Sequence, residues 1–287
     1  MKNNLSSIYL EAIIQGFNTL NEESQNLLSA KILSFELAKR GFNNGCSEGD
    51  IYYTAFGLLL SYALGIKISN HKNFIDSVVV SDDDLINRSA LIKSKLLLKA
   101  LKLPLALRKL SSLNYISPKS CDIAPLDSIH TPYDAFLCLN ILQDIGKKVD
   151  ELKCLLPRIE ELRNADGGFP NHEGEISTLN STVSFIVFKY VITNEVDIDA
   201  FKFIATLYDV SGGFKVSSIA LIPDILSTAT AVTAFKICGQ PLPCNTNDLN
   251  GFIAIHWLED GGFSATILDQ TTDPEYIFYG LLALGMI

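Results

Sequence analysis

Acidic residues recur at the start of apolar segments, where a carboxyl group can transfer protons to a bound molecule. Asp127 and Asp224 each open a D-x-x-x-T pattern, as the first residue does in Asp50–Thr54. His130 lies three residues after Asp127, and an imidazole changes its charge near neutral pH. A carboxylate and an imidazole at the rim of one pocket can divide the acid and base roles between them. Asp224, Asp127 and His130 are therefore the candidate catalytic residues.

The same spacing has a structural interpretation. An Asp or Ser at the start of a helix accepts hydrogen bonds from the free N–H groups of the first turn, which stabilises the helix by ~1 kcal/mol. Pro274, directly after Asp273, suits the first helical position, and Ser177–Ser181 stands at the equivalent place of another unit. The cluster Asp82–Asp84 opens a predicted outer helix, where acidic residues favour the helix dipole. Capping explains most of this pattern.

The elements that position these residues come from an internal repeat. A Gly-Gly-Phe triplet recurs, with its Phe residues 45 and 49 positions apart, and Arg40-Gly41-Phe42 is a weaker copy. Each copy follows an amphipathic segment whose apolar residues recur at three- and four-residue steps, which predicts a one-faced helix. The glycines are expected to end that helix as its C-cap. The triplets lie in Asp166–Phe169, Ser211–Phe214 and Asp260–Phe263, and the amphipathic segments are Glu23–Lys39, Glu151–Arg163, Asp197–Tyr208 and Asp248–Leu258.

The segment after each triplet is apolar on most of its circumference, as in Ser181–Tyr190, which predicts a helix packed on more than one side. Alternating amphipathic and apolar helices predict the outer and inner layers of one closed ring, an all-α fold. No Pro-, Gly- or Ser-rich linker divides the chain, so we expect a single domain over residues 1–287. It should contain about five helical hairpins, clearest over residues 149–287, with Leu5–Leu20 as an extra helix and a break at Pro104.

An acid that opens an apolar helix ~10 residues after D-G-G-F resembles the repeat of the prenyltransferase and squalene-cyclase (squalene oxidase) family. The resemblance implies an α/α toroid, a barrel of helical hairpins, whose inner helices surround an apolar cavity for an isoprenoid chain. Protein prenyltransferase β-subunits hold zinc with an Asp, a Cys two residues later, and the His of a D-P-x-H-T motif. The matching positions are Asp224, Leu226 and Tyr276. Because leucine cannot ligate zinc, we predict no metal site and no cofactor.

Class II terpene cyclases of the same family carry D-x-D-D-T-A, in which the central acid protonates an alkene or epoxide. Asp224–Ala229 keeps the first Asp and the Thr-Ala, but Leu226 stands at the proton-donor position and Ser227 follows it. The positions of the diphosphate-binding Arg and Lys hold Ser218 and Leu221. The resemblance therefore implies an isoprenoid scaffold with altered acid–base residues.

The inner segments are rich in aromatic residues. Core packing explains most of such an interior. The functional alternative is that the rings line a pocket for a prenyl chain or stabilise a carbocation. The candidate substrate-binding residues are Tyr52, Tyr53, Phe56, Tyr133, Thr228, Asp273 and Tyr276.

The net charge and the length of the apolar segments limit the classes of partner that this protein can bind. The formal net charge of −9 would repel nucleic acid and anionic membrane surfaces. The longest uncharged apolar run, Thr54–Ile66, is shorter than the ~20 residues that a bilayer crossing needs, so we expect no transmembrane segment. The start of the chain lacks a continuous apolar stretch and a small-residue cleavage site, which predicts no signal peptide and a cytoplasmic location.

Two functions follow. The first is an isoprenoid-handling enzyme, similar to terpene cyclases or prenyltransferases, that acts on a hydrophobic prenyl or terpenoid small molecule. The alternative is a non-catalytic protein of the same fold that binds a hydrophobic ligand or a partner protein. An obligate subunit or a homo-oligomer also stays open, because the last apolar segment ends at Ile287 and would need a covering partner.

Overall fold

The computed structural model describes residues 4–81, 84–102 and 126–287. Over these residues the chain is mostly helical, with twelve α-helices and two small antiparallel hairpins, so the expected helical class is confirmed. None of the described helices combines the length and the apolar character needed to cross a membrane. The hairpins pair β1 (Glu36–Leu37) with β2 (Gly41–Phe42) and β3 (Phe169–Pro170) with β4 (Ser177–Thr178).

The predicted amphipathic segments form helices that end two to five residues earlier than predicted. Short 3-10 helices, Leu126–Ser128 and Asp150–Leu155, precede the sixth and seventh α-helices. The predicted break at Pro104 lies outside the described residues. In chain order the α-helices are α1 (Leu5–Thr19), α2 (Glu22–Ser34), α3 (Ile51–Leu64), α4 (Lys72–Ser77), α5 (Leu85–Ala100), α6 (Pro132–Asp144), α7 (Leu156–Glu160), α8 (Leu179–Thr193), α9 (Ile198–Thr206), α10 (Ile225–Ile237), α11 (Thr246–Ile255) and α12 (Pro274–Met286).

Six helices contact one another in a closed circuit. α3 packs on α5, α5 on α6, α6 on α8, α8 on α10, α10 on α12, and α12 packs back on α3. Asp84 caps α5 through the N–H group of Asn87, so this acid opens a helix of the circuit rather than the outer helix expected there. Its neighbours Asp82 and Asp83 lie outside the described residues.

Helix α1 connects two helices on opposite sides of this circuit. At its start, the backbone N–H of Leu5 donates to the side chain of Gln143, near the end of α6. Farther along, α1 packs against α12 so closely that a β carbon at Gly285 would lie 1.8 Å from the carbonyl oxygen of Ala12. Helix α1 therefore lies across the C-terminal ends of α6 and α12.

The sequence predicts that the glycines cap the outer helices, and this prediction is wrong. Helix α9 ends at Thr206 with a right-handed cap residue, and Gly212 lies in a separate turn in which its N–H donates to the carbonyl of Asp209. Its φ of +98° is one that side-chain-bearing residues rarely adopt. A β carbon there would also lie 2.5 Å from the carbonyl oxygen of Asp248, in the first turn of α11. The glycine allows the turn to pack closely against the next outer helix.

The outer layer closes in the same way. Gly261, in the last of these turns, has a φ of +91° and packs against Leu27, so a β carbon would lie 2.8 Å from that residue's carbonyl oxygen. Leu27 belongs to α2, the first outer helix. An ion pair between Lys31 and Asp260 joins the same two elements. The last unit therefore packs on the first.

A threonine near the start of three buried helices binds the preceding turn. Its hydroxyl accepts a hydrogen bond of 2.9 Å from the N–H group of the Phe in the glycine turn, and it donates to the carbonyl of its own helix cap. All three threonines are fully buried or nearly so. Each of these threonines lies four residues after its helix cap, and this hydrogen bonding accounts for the Thr of the D-x-x-x-T pattern. The pairs are Thr54 with Phe42, Thr182 with Phe169, and Thr228 with Phe214.

The capping interpretation holds for three aspartates, because Asp50, Asp224 and Asp273 cap α3, α10 and α12. Helix α6 departs from it. Its cap is Thr131, which forms a reciprocal capping box with Asp134. Asp127 lies one turn earlier in the 3-10 helix Leu126–Ser128, so its D-x-x-x-T match does not mark a helix start.

We expect Gly212→Ala to lower the free energy of unfolding by about 1 to 3 kcal/mol, because it combines a positive φ with a backbone clash. Urea unfolding measures the change. Gly251→Ala is the matched control: a β carbon there meets nothing within 4 Å, inside α11, so it should stabilise by up to about 1 kcal/mol. Equal effects of the two variants would contradict the role given to Gly212.

We expect Thr228→Val to lower the free energy of unfolding by about 1 to 3 kcal/mol, because it leaves the buried N–H of Phe214 without its acceptor. Thr233→Val, on the same helix, is the control. Its buried hydroxyl has no partner among the described residues, so its replacement should be nearly neutral. A neutral Thr228→Val would remove this hydrogen bond from the account of the fold.

Candidate functional site

The helical circuit surrounds a cavity of about 590 Å³, lined by side chains from α1 and from all six helices of the circuit. The loop residues Asn171 and His172 also line it, and both are exposed. The cavity therefore opens at the N-terminal ends of these helices. Tyr9 of α1 closes part of the opposite end.

The repeat places equivalent residues at three levels of the cavity. Counted from each helix cap, the second, sixth and ninth residues lie on one helix face and line the cavity in α3, α6, α8, α10 and α12. The rim level is Tyr52, Tyr133, Asn180, Leu226 and Glu275; the middle level is Phe56, Leu137, Ser184, Thr230 and Tyr279; the floor level is Leu59, Asn140, Val187, Thr233 and Leu282.

Three of the candidate substrate-binding residues line the cavity: Tyr52, Phe56 and Tyr133. The other four do not. Tyr53 and Tyr276 are the third residues after their caps, which turns them away from the face that the second residues occupy. Thr228 is fully buried in its bond to the glycine turn, and Asp273 is the cap of α12.

Of the candidate catalytic residues, neither Asp224 nor His130 lines the cavity. Both carboxylate oxygens of Asp224 bind Ser227, one its N–H group and the other its hydroxyl. Burial raises the pKa of Asp224, but its side chain is not part of the cavity lining. His130 is exposed just before the cap of α6. The side chain of Asp127 lies outside the described atoms.

Glu275 is the acidic residue that the sequence analysis missed. Its carboxyl lines the rim level and accepts a hydrogen bond of 2.6 Å from the hydroxyl of Tyr52. Burial raises the pKa of Glu275 to about 7, against the lowering effect of the Tyr52 hydrogen bond, and the nearby charge of Asp273 raises it further. A carboxyl group with that pKa can give or take a proton near neutrality.

A signal for Glu275 was present in the sequence. In Asp273-Pro-Glu-Tyr it stands two residues after the cap, the same position at which Leu226 follows Asp224. In the unit of α10 that position holds Leu226, which cannot donate a proton. Among the six helices of the circuit, Glu275 is the only acid at that position, so a comparison of these units position by position identifies it.

Aromatic rings form a continuous wall beside Glu275. Tyr52 contacts Phe56 edge to face at 5.2 Å between ring centroids, and Phe56 contacts Phe278 at 5.1 Å. Phe278 in turn contacts Tyr279 at 5.1 Å and Tyr9 at 6.4 Å. Burial raises the pKa values of the Tyr52 and Tyr9 hydroxyls, so they stay neutral at physiological pH. The wall can bind apolar groups and can face a cation.

The positions compared above with the zinc ligands of protein prenyltransferases include Leu226, which offers no ligand atom, and Tyr276, which offers a phenol and no imidazole. Both oxygens of Asp224 are already bound to Ser227. Among the described residues, no three His, Cys, Asp or Glu side chains are grouped so that they could hold a metal ion.

No protein-family model matches the chain, and no curated protein matches it in sequence. These comparisons assign neither a family nor an activity. The side chains of the cavity are therefore the basis for a functional proposal, since a fold alone does not define a reaction.

Proposed function

We propose that this protein is an α/α-toroid enzyme that binds an isoprenoid or similar terpenoid molecule in its central cavity and transfers a proton to it from Glu275. One observation carries the proposal: a carboxyl group with a pKa of about 7 lies in the lining of a largely aromatic and aliphatic cavity. Buried acids whose proton is retained to neutral pH are a recurrent feature of sites that perform acid–base catalysis.

The Tyr52 hydroxyl suits the second half of such a transfer. It already donates to Glu275 at 2.6 Å, and after the proton has left it would stabilise the carboxylate. Because burial raises the pKa of Tyr52, the tyrosine keeps its own proton and acts as a fixed donor. Glu275 would thus be the proton donor and Tyr52 a positioning residue.

The acceptor on the substrate should be an oxygen atom. A carboxyl group with a pKa near 7 is too weak an acid to protonate an isolated alkene readily, whereas an epoxide or carbonyl oxygen is more basic. Opening of the protonated epoxide breaks one carbon–oxygen bond, which leaves a hydroxyl group on one carbon and positive charge on the other, whereas a protonated carbonyl keeps its bond. Phe56, Phe278 and Tyr279 would stabilise that charge through their ring faces. The carbocation would end by losing a proton from a neighbouring carbon, and the Glu275 carboxylate could accept that proton.

The proposal uses three of the residues taken from the sequence, Tyr52, Phe56 and Tyr133, as contacts to the ligand. It replaces Asp224, Asp127 and His130 with Glu275 as the source of the proton. The toroid itself is supported by the closed circuit of helix contacts and by the packing of the last glycine turn on α2.

We expect Glu275→Gln to slow the conversion of terminally epoxidised farnesol and geranylgeraniol by about 10²- to 10⁴-fold, while binding of these compounds persists. Mass spectrometry of the products and thermal-shift titrations measure the two effects. Glu259→Gln, at an exposed position, is the matched control. Binding without any conversion by the unaltered protein would favour the non-catalytic alternative.

We expect Tyr52→Phe to keep activity but to shift its pH dependence. Activity that requires protonated Glu275 should fall as pH rises through about 7. The Tyr52 hydrogen bond lowers the pKa of Glu275, so its removal should move this fall to higher pH. A pH–rate profile measures the shift, and an unchanged profile would separate Tyr52 from the proton donor.

The free energy of unfolding should also depend on the protonation of Glu275. The unfolded chain loses the Glu275 proton near 4.5 and the folded chain near 7, so the folded state binds more protons between these values. Glu275 therefore contributes a stability that is complete below about pH 4.5 and is lost by about pH 7. We therefore expect the free energy of unfolding of Glu275→Gln, measured relative to that of the unaltered protein, to increase by about 2 to 3 kcal/mol from pH 4.5 to pH 8. Urea unfolding at the two pH values tests this, and parallel pH curves would contradict a buried neutral acid.

A further inference from the structure

The floor of the cavity holds polar groups without partners. Asn140 is 4% exposed, and its Nδ2 donates to the carbonyl of Phe136 at 2.9 Å. Because a carbonyl can only accept, this contact fixes the orientation of the amide and leaves Oδ1 facing away from it. Oδ1 is buried and has no partner among the described residues. A buried acceptor of this kind calls for a hydrogen-bond donor, and a bound molecule can supply one.

Two further groups near this level are unsatisfied. Thr233 is 3% exposed and lines the cavity, and its hydroxyl has no partner among the described residues. This is unlike Thr230, one turn earlier, whose hydroxyl bonds to Asn180 and to helix carbonyls. Asp144, one turn after Asn140 on α6, also has an oxygen atom without a partner. Two of the three open groups can only accept hydrogen bonds.

The charges around the cavity disfavour an anion. Lys93 lines the cavity, but its Nζ lies 3.5 Å from Oδ2 of Asp144, which offsets its charge. Asp134 lines the cavity as well, with an oxygen bound to the N–H of Thr131, and Glu275 is a carboxyl group at the rim. A diphosphate offers almost only acceptors and several negative charges, so it fits neither the open acceptors nor this charge.

We propose that the cavity selects a neutral, hydroxyl-bearing isoprenoid whose hydroxyl group binds at the floor, donating to Asn140 Oδ1, with Thr233 as a second polar contact. This inference rests on the proposed function and names its substrate class. The apolar middle of the ligand lies against Phe56 and Tyr279, and its reacting oxygen lies at the rim beside Glu275. The polar groups at the two ends of the cavity fix the direction in which the molecule enters.

Binding of three related probes tests the proposal: farnesol, the hydrocarbon β-farnesene and farnesyl diphosphate, measured by calorimetric titration at two salt concentrations. We expect farnesol to bind about threefold to tenfold more tightly than β-farnesene, the ratio that one added hydrogen bond gives. Farnesyl diphosphate should bind more weakly than farnesol, and its binding should improve as salt screens the acidic groups.

Two variants locate the hydroxyl site. Asn140→Leu should reduce the preference for farnesol over β-farnesene to less than about twofold, and Thr233→Val should reduce it in part. Thr233→Val keeps the shape of the side chain, so it remains informative if Asn140→Leu unfolds. Thr206→Val is the matched control, because this threonine of α9 lies outside the cavity lining and its hydroxyl already donates to the carbonyl of Phe203. It should leave the preference unchanged.

The failures are distinguishable. Equal binding of farnesol and β-farnesene, or tightest binding of farnesyl diphosphate, would overturn the hydroxyl site and leave the apolar cavity of the proposed function intact. A preference that survives in both Asn140→Leu and Thr233→Val would likewise overturn it. If no probe binds, both this inference and the proposed function fall.

Discussion

The hydrogen bond from a glycine-turn Phe to a helix threonine is the interaction on which the rest of the structure depends. In three units it ties the end of an outer layer element to the start of a buried helix, at the same distance from the helix cap. It thereby helps to set the rotation of α3, α8 and α10, while α6 and α12 present the same face without it. Because the second, sixth and ninth residues after the cap face inward, that rotation decides which side chains enter the cavity.

This arrangement separates two kinds of acid within a few residues of sequence. The carboxyl groups of Asp224 and Asp273 satisfy the free N–H groups of a helix start, so they are bound to backbone and contribute stability. Glu275, only two residues after Asp273, faces the cavity and meets aromatic rings and one phenol. Its raised pKa reflects that environment, in which a charged carboxylate loses much of its hydration.

Part of this structure could be predicted from sequence. The amphipathic segments, the buried helices after them and the caps Asp50, Asp224 and Asp273 follow from periodicity and capping chemistry, and the structure confirms them. The turn at Gly212 was wrongly expected to be a helix cap. Its positive φ is common to both roles, but α9 ends at Thr206 with a right-handed cap residue, and Gly212 packs against Asp248 of the next outer helix.

The cavity could be predicted less well. Asp127 matched the capping pattern, but helix α6 starts four residues later, at a Thr-Pro pair whose capping box was not recognised. His130 therefore lies in an exposed loop and not at a helix start, where the sequence had placed it. The position of Glu275 follows from the repeat, but its raised pKa does not, because its burial depends on helices far apart in sequence. The open acceptor of Asn140 likewise exists only once the fold has formed.

The contact between α1 and α12 has a consequence for biosynthesis. Gly285 packs on Ala12, so the first described helix meets its partner only after the last one has left the ribosome. Until then α1 cannot pack in its final position. The apolar faces of the helices already synthesised therefore stay exposed for longer than in a protein of the same size built from sequence-local contacts.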